Sequence, residues 1–231
     1  MTARPSPGRQ PLALLVCLCF ALACTGVGCG AGGNGEAGTP GDTAPRAREG
    51  EMTLDESLEQ RRSVRSFSDK ALTEEQVLKL AWAAQGVTEP AMGLRTAPSA
   101  GALYPLELYV LEAGVLYHYL PGSNSLEEVS GGVSAGDLAN AALGQSFISR
   151  APVVFIFTGA FERTRAKYGS RGDRYVYIEV GHAAENLLLK AVALGLGAVP
   201  VGAFDDAGVS RVLGLPEDLA PLYIVPVGHP S

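Results

Sequence analysis

The stretch from Ala183 to Leu196 constrains this chain most, because after Glu185 it carries one charge, Lys190, and is apolar almost all round. A helix with no polar face has nothing to offer water and belongs inside a core. The longer run Tyr175–Leu194 exceeds any ordinary strand, so the pattern predicts a long, central, buried helix that the rest of the domain must cover.

Other segments supply the cover. Thr53 and Glu56 form a capping box that starts a short helix running from Leu54 to about Arg62. Thr73 and Gln76 form a second box, with Leu72 and Val77 placed as a hydrophobic staple; Val77, Leu78, Ala81, Trp82 and Ala84 give its apolar face, up to Gly86. Leu106–Leu111 and Val115–Leu120 read as a strand pair across Ala113-Gly114, and Val153–Phe157 as a buried strand. Val199–Val201 and Leu222–Val227 are further strands, with a helix from about Asp206 to Leu213 between them. Helices and strands mix without regular β-α-β alternation, which makes the fold class α+β.

Charge excludes one class of function. The chain carries 18 basic and 24 acidic residues, with no broad basic face, so nucleic acid is not an expected partner. The first 29 residues stand apart, with two arginines, no acid and all four cysteines. There, Arg4 and Arg9 precede the twelve-residue apolar run Leu12–Ala23, which fits a signal-peptide core and falls short of the roughly 20 residues of a membrane-spanning helix. Residues 1–23 are therefore expected to be a signal peptide. Cys24 follows Ala21-Leu22-Ala23 directly and resembles the lipidated first residue of a bacterial lipoprotein; Cys29 is a second candidate, and a plain secretory signal cut at the same bond the simpler alternative. The expected location is the cell envelope, with membrane contact through the lipid anchor alone. Residues 24–51, rich in Gly, Pro and Ala, read as a flexible tether. Within it Gly33-Asn34-Gly35-Glu36-Ala37-Gly38 spells a dinucleotide fingerprint without the strand and helix such a site needs. The folded domain is expected over 52–231. It has no cysteine after Cys29, hence no disulfide, thiolate metal site or cysteine nucleophile.

Three stretches could carry chemistry. Arg61-Arg62-Ser63-Val64-Arg65 gathers three guanidinium groups and a hydroxyl, suited to phosphate oxygens; Arg61 and Arg65 share a face if the segment is helical. A solvated basic helix end is the plainer reading. Pro98-Ser99-Ala100-Gly101, leading to Tyr104-Pro105, is a loop of small residues that a flat ligand could approach closely. Pro200-Val201-Gly202 follows the glycine cap of the central helix. His118, His182 and His229 lack metal-ligand spacing, and His182 on a buried helix reads as a core histidine. Gly144-Gln145-Ser146-Phe147-Ile148 lacks the last glycine of a nucleophile elbow.

In this order the three stretches resemble the nitroreductase family of flavin enzymes, and its SagB-type dehydrogenase branch most closely, from about Leu54 to Ser231. The resemblance implies a three-layer fold, a central, mainly antiparallel sheet flanked by helices, assembled as a homodimer. It implies FMN as cofactor, its phosphate held by Arg61, Arg62, Ser63 and Arg65. Pro98, Ser99, Ala100 and Gly101 would lie along the flavin, and Pro200, Val201 and Gly202 near its reactive nitrogen. Ala102, Tyr104 and Leu106 replace the Asn, Gln and Trp of classical nitroreductases, and Gly101-Ala102-Leu103-Tyr104-Pro105 is the SagB-type form. That branch oxidises azoline rings in ribosomal peptides with a Lys-Tyr pair moving protons, which points to Lys167 and Tyr168 as catalytic residues and to a small molecule or peptide as substrate. A charged loop among Arg163, Arg165, Arg171 and Arg174 is the plainer account of the pair. A non-catalytic envelope module that binds a flavin or related ligand is the alternative function.

Overall fold

The computed structural model describes residues 52–231; the expected signal peptide, Cys24 and the expected tether lie outside them. Two short helices open the domain, α1 (Leu54–Gln60) and α2 (Glu74–Gln85), each begun by the expected reciprocal capping box. A two-stranded ribbon, β1 (Val87–Glu89) and β2 (Leu94–Arg95), precedes the hairpin of β3 (Leu106–Glu112) and β4 (Val115–Leu120). Then come β5 (Ser125–Gly131), α3 (Ala135–Ala141), α4 (Phe147–Arg150) and β6 (Val153–Gly159). The chain closes with α5 (Phe161–Tyr168), α6 (Gly172–Ala193), β7 (Gly197–Ala198), α7 (Asp206–Leu213) and β8 (Ala220–Gly228).

Six strands form one sheet in the order β5-β4-β3-β6-β8-β7, every pairing antiparallel. Strand periodicity assigns side chains to its two faces. Leu106, Leu108 and Val110 of β3 and Val153, Phe155 and Phe157 of β6 pack with α2 and α6, while Tyr109, Leu111, Val154 and Ile156 pack with α3 and α7. The architecture is the expected three-layer α+β arrangement. Both faces of β6 are covered, which is why its sequence is a continuous apolar run. Burying a side chain such as Phe155 contributes roughly 1.5–3 kcal/mol.

Two expectations are corrected here. The buried face of α2 is Val77, Leu80, Ala81 and Ala84, whereas Leu78 is half-buried and Trp82 is 40% exposed. The central helix α6 is buried along one side only: Ala183, Ala184, Leu187 and Ala191 are buried, and Tyr177, Ile178, Gly181 and His182 are exposed. His182 is thus no core histidine. Uniform apolarity marked α6 as a helix that needs covering, and the sheet together with α1, α2 and α5 covers only one of its sides.

Candidate functional site

Helix α1 ends at Gln60, and Arg61 leaves helical geometry with φ −55° and ψ 122°. Ser63 then bridges Ala198 in parallel register, and the Val64 amide donates to the Ala198 carbonyl at 3.0 Å. The segment therefore extends along the sheet edge beside β7, and Arg61 and Arg65 do not share a helical face. Gly197 permits this approach, since a Cβ there would lie 2.7 Å from the Val64 side chain. The three arginines separate. Arg61 Nε stands 3.7 Å from Glu185 Oε1 on α6; Arg62 Nη1 donates to the carbonyls of Glu59 and Arg61 at 2.7 Å each; the Arg65 guanidinium lies 5.8 Å from the Phe147 ring centre. Along the same edge, Val201 exchanges both backbone hydrogen bonds with Ile224, at 2.8 and 3.0 Å, which places Gly202 exposed over the Tyr223 ring. Arg61–Arg65 and Pro200–Gly202 thus flank one sheet edge, joined through Ala198.

The Pro98–Gly101 loop is held in uncommon backbone geometry. Gly101, Ala102 and Tyr104 all have positive φ, at 65°, 54° and 46°. For Ala and Tyr this costs on the order of 1 kcal/mol or more and persists only where the surroundings enforce it. Enforcement comes from several sides. The Tyr104 amide donates to Ser99 Oγ at 2.9 Å, and the Arg95 amide to the Tyr104 hydroxyl at 3.2 Å. The Arg95 guanidinium lies 4.6 Å over the Tyr104 ring and donates to Gln85 Oε1 at 2.7 Å. Arg163 donates to the Tyr104 carbonyl at 3.1 Å and pairs with Glu107, which also holds His118. Burial alone would raise the Glu107 pKa, but these two partners bring it below the usual carboxylate value.

Lys167 and Tyr168 end α5, where Gly169 turns the chain toward α6 with φ 57°. They meet the loop at Gly101: a Cβ there would lie 2.7 Å from both Lys167 Nζ and the Tyr168 hydroxyl oxygen. Tyr168 rests edge-on against Tyr175, ring centres 5.0 Å apart. Arg163, Arg165 and Arg171 turn to Glu107, to Glu162 and Asp173, and to Tyr175. The Lys167 amino group and the Tyr168 hydroxyl therefore converge on the small-residue loop.

The nitroreductase family model matches residues 58–229. The chain belongs to the nitroreductase family. It is 44% identical over 186 residues to a protein of Methanocaldococcus jannaschii named as a nitroreductase, covering 78% of this chain and 92% of that one. It is 29% identical over 179 residues to the microcin B17-processing protein McbC of Escherichia coli, covering 69% and 63%. A nitroreductase crystal structure from Ralstonia eutropha superposes with TM-score 0.71 at 28% identity, covering 81% of this chain and 88% of that one. The E. coli microcin synthetase McbBCD complex with truncated pro-MccB17 bound superposes with TM-score 0.64 at 26% identity, covering 84% and 77%. Similarity to McbC supports the SagB-type branch, and the protein is a nitroreductase-family oxidoreductase.

One residue of this nitroreductase domain escaped the sequence reading. Glu179 of α6 is 2% exposed and lines a cavity of about 270 Å³ with Pro98, Ser99, Ala100, Tyr175, Ile178 and His182. Burial pushes its pKa up to about 7, against a hydrogen bond from the Ser99 hydroxyl and the charge of Arg95. An acid set between Ile178 and Val180, on the turn preceding the most apolar stretch, was the available signal. A larger hollow of about 630 Å³ opens beside Trp82, Leu78 and Lys190, on residues apart from this constellation.

Proposed function

We propose that this protein is an FMN-dependent, SagB-type dehydrogenase that oxidises a small-molecule or peptide substrate. The observation that carries the reading is the meeting of Lys167 Nζ and the Tyr168 hydroxyl at Gly101, in the loop that the resemblance places along the flavin. The residues fit the cofactor. Arg61, Ser63 and Arg65 offer charged and hydroxyl donors for a phosphate on the sheet edge, with Pro200–Gly202 two residues beyond their anchor Ala198. The short side chains of Pro98–Gly101 leave room for a ring, and the cavity there is lined by Glu179, whose Oε1 is buried without a partner. FMN, when bound, supplies the two-electron acceptor. Lys167 and Tyr168 take or return the proton that leaves with those electrons. Tyr175 keeps Tyr168 in place, and the Arg95–Tyr104–Arg163 cluster keeps the loop in place.

The likeness to McbC and to the peptide-bound McbBCD complex favours a peptide among possible substrates. We further propose a homodimer that covers the exposed side of α6, and an exported chain anchored through Cys24. At the envelope nicotinamide donors are not expected, so substrate oxidation fits better than nicotinamide-driven nitroreduction. Substituting Cys24→Ser should release the protein from the membrane fraction or block its processing, and unchanged fractionation would point to Cys29.

The test of function is the ligand released from natively purified protein, identified by mass spectrometry, followed by single-turnover flavin reduction with azoline-containing peptides. FMN together with substrate-dependent bleaching is the expected result. Tight flavin binding without bleaching by any reductant would favour the non-catalytic module.

A further inference from the structure

Three features of Glu179 require a partner that the protein itself does not supply. It lies on the covered side of α6, one turn from Val176 and Ala183, where a hydrocarbon side chain would pack without a desolvation penalty. Its Oε1 atom is buried with no hydrogen-bond partner, which is uncommon and costly for a carboxyl oxygen. The residue nonetheless lines the cavity beside Pro98, Ser99 and Ala100. The Ser99 hydroxyl accepts from the Tyr104 amide, which leaves its own proton free to donate to Glu179.

We propose that Glu179 is a ligand-binding residue of the flavin site, set beside the Pro98–Gly101 loop and accepting a hydrogen bond on its carboxylate from a ring N–H of the bound flavin. This deepens the FMN reading above and rests on it. The other groups around the carboxyl are accounted for. Arg95 reaches it from β2 and is itself engaged by Gln85 and Tyr104; Glu107 and Arg163 lie beyond Arg95. Lys167 and Tyr168 stand across Gly101 on α5, and Tyr175 and His182 share the cavity from α6 itself. With one engaged cation to oppose burial, the carboxyl holds its proton to about pH 7, and a donor on the ligand favours the ionised form. Flavin affinity therefore falls as pH drops through that value.

The experiment is titration of FMN, followed by its fluorescence, into wild type, Glu179→Gln, His182→Asn and Ser99→Ala between about pH 5.5 and 8.5. The FMN phosphate titrates near pH 6 in every variant, so the comparison between variants isolates the carboxyl. Wild type is expected to lose about threefold to tenfold more affinity on acidification than Glu179→Gln, within the one-decade-per-pH-unit limit of a single linked proton. His182→Asn is expected to keep the wild-type dependence. Ser99→Ala, which leaves the carboxyl in place without its donor, is expected to move the midpoint upward, and this arm stands even if Glu179→Gln fails to fold. Equal pH dependence in wild type and Glu179→Gln, or an unmoved midpoint in Ser99→Ala, would overturn the proposal with FMN binding intact. Wild type that binds no FMN at any pH would overturn the flavin reading, and this proposal with it.

Discussion

Gly101 and Lys167 meet so closely that a β-carbon on the glycine would lie 2.7 Å from the lysine Nζ. The glycine is also held at φ 65°. Gly101→Ala therefore adds a strained backbone of roughly 1–2 kcal/mol to a direct conflict with Lys167 and Tyr168. Lys167 can swing its far end aside, and the tyrosine ring cannot do so without leaving Tyr175. Turnover is expected to fall more than stability does, as measured by comparing thermal melting with the rate of flavin reduction. A variant that melts lower yet reduces flavin at the wild-type rate would detach the loop from the chemistry.

Lys167→Ala and Tyr168→Phe should each slow single-turnover flavin reduction by about 10²–10⁴-fold, the usual range for losing a proton-transfer group. Flavin content should stay level, because neither side chain belongs to the phosphate segment. Rates within about threefold of wild type for both would remove the pair from the mechanism.

Arg65→Ala should weaken FMN by about tenfold or more, since a charge-assisted hydrogen bond contributes roughly 1.5–3 kcal/mol, while riboflavin affinity should hardly change. Arg62→Ala should matter less, because Arg62 Nη1 is turned to the carbonyls of Glu59 and Arg61. Gly197→Ala forces Val64 away from β7 and should weaken FMN without touching any arginine. Isothermal titration with both flavins decides each case, and equal wild-type affinity for FMN and riboflavin would end the phosphate assignment.

Glu179 also predicts how the ligand-free domain responds to pH. Its pKa of about 7 in the folded protein lies above the ordinary 4.5, so the folded state binds the extra proton. Stability is then greatest below the ordinary value and declines as pH rises through the window from 4.5 to about 7. Glu179→Gln removes this decline, with a gain above pH 7 of up to about 3 kcal/mol at ~1.4 kcal/mol per unit. Melting temperatures of wild type and variant should coincide near pH 4 and separate by several degrees at pH 8. A wild type that melts higher than the variant at pH 8 would contradict the buried-acid account.

The sequence by itself determined the elements whose signals are local. Thr53 and Thr73 start their helices through contacts three residues away, Ala113-Gly114 closes a hairpin between adjacent apolar runs, and α7 was legible to its ends. The edge strand β5, Ser-Leu-Glu-Glu-Val-Ser-Gly, escaped because one covered side and an open rim demand little apolar patterning. In the site, the motifs named which residues matter, and only the tertiary structure decided how they meet. Ser63 finds Ala198 and Gly101 finds Lys167 across more than sixty residues of chain, contacts set by strand order and helix packing and by no local periodicity. The same holds for Glu179 and His182, three residues apart on one helix. Residue type left both in an apolar stretch; the elements packed on α6 cover the side that carries Glu179 and leave His182 exposed, because neighbours gathered on one side of a helix give it one dry side.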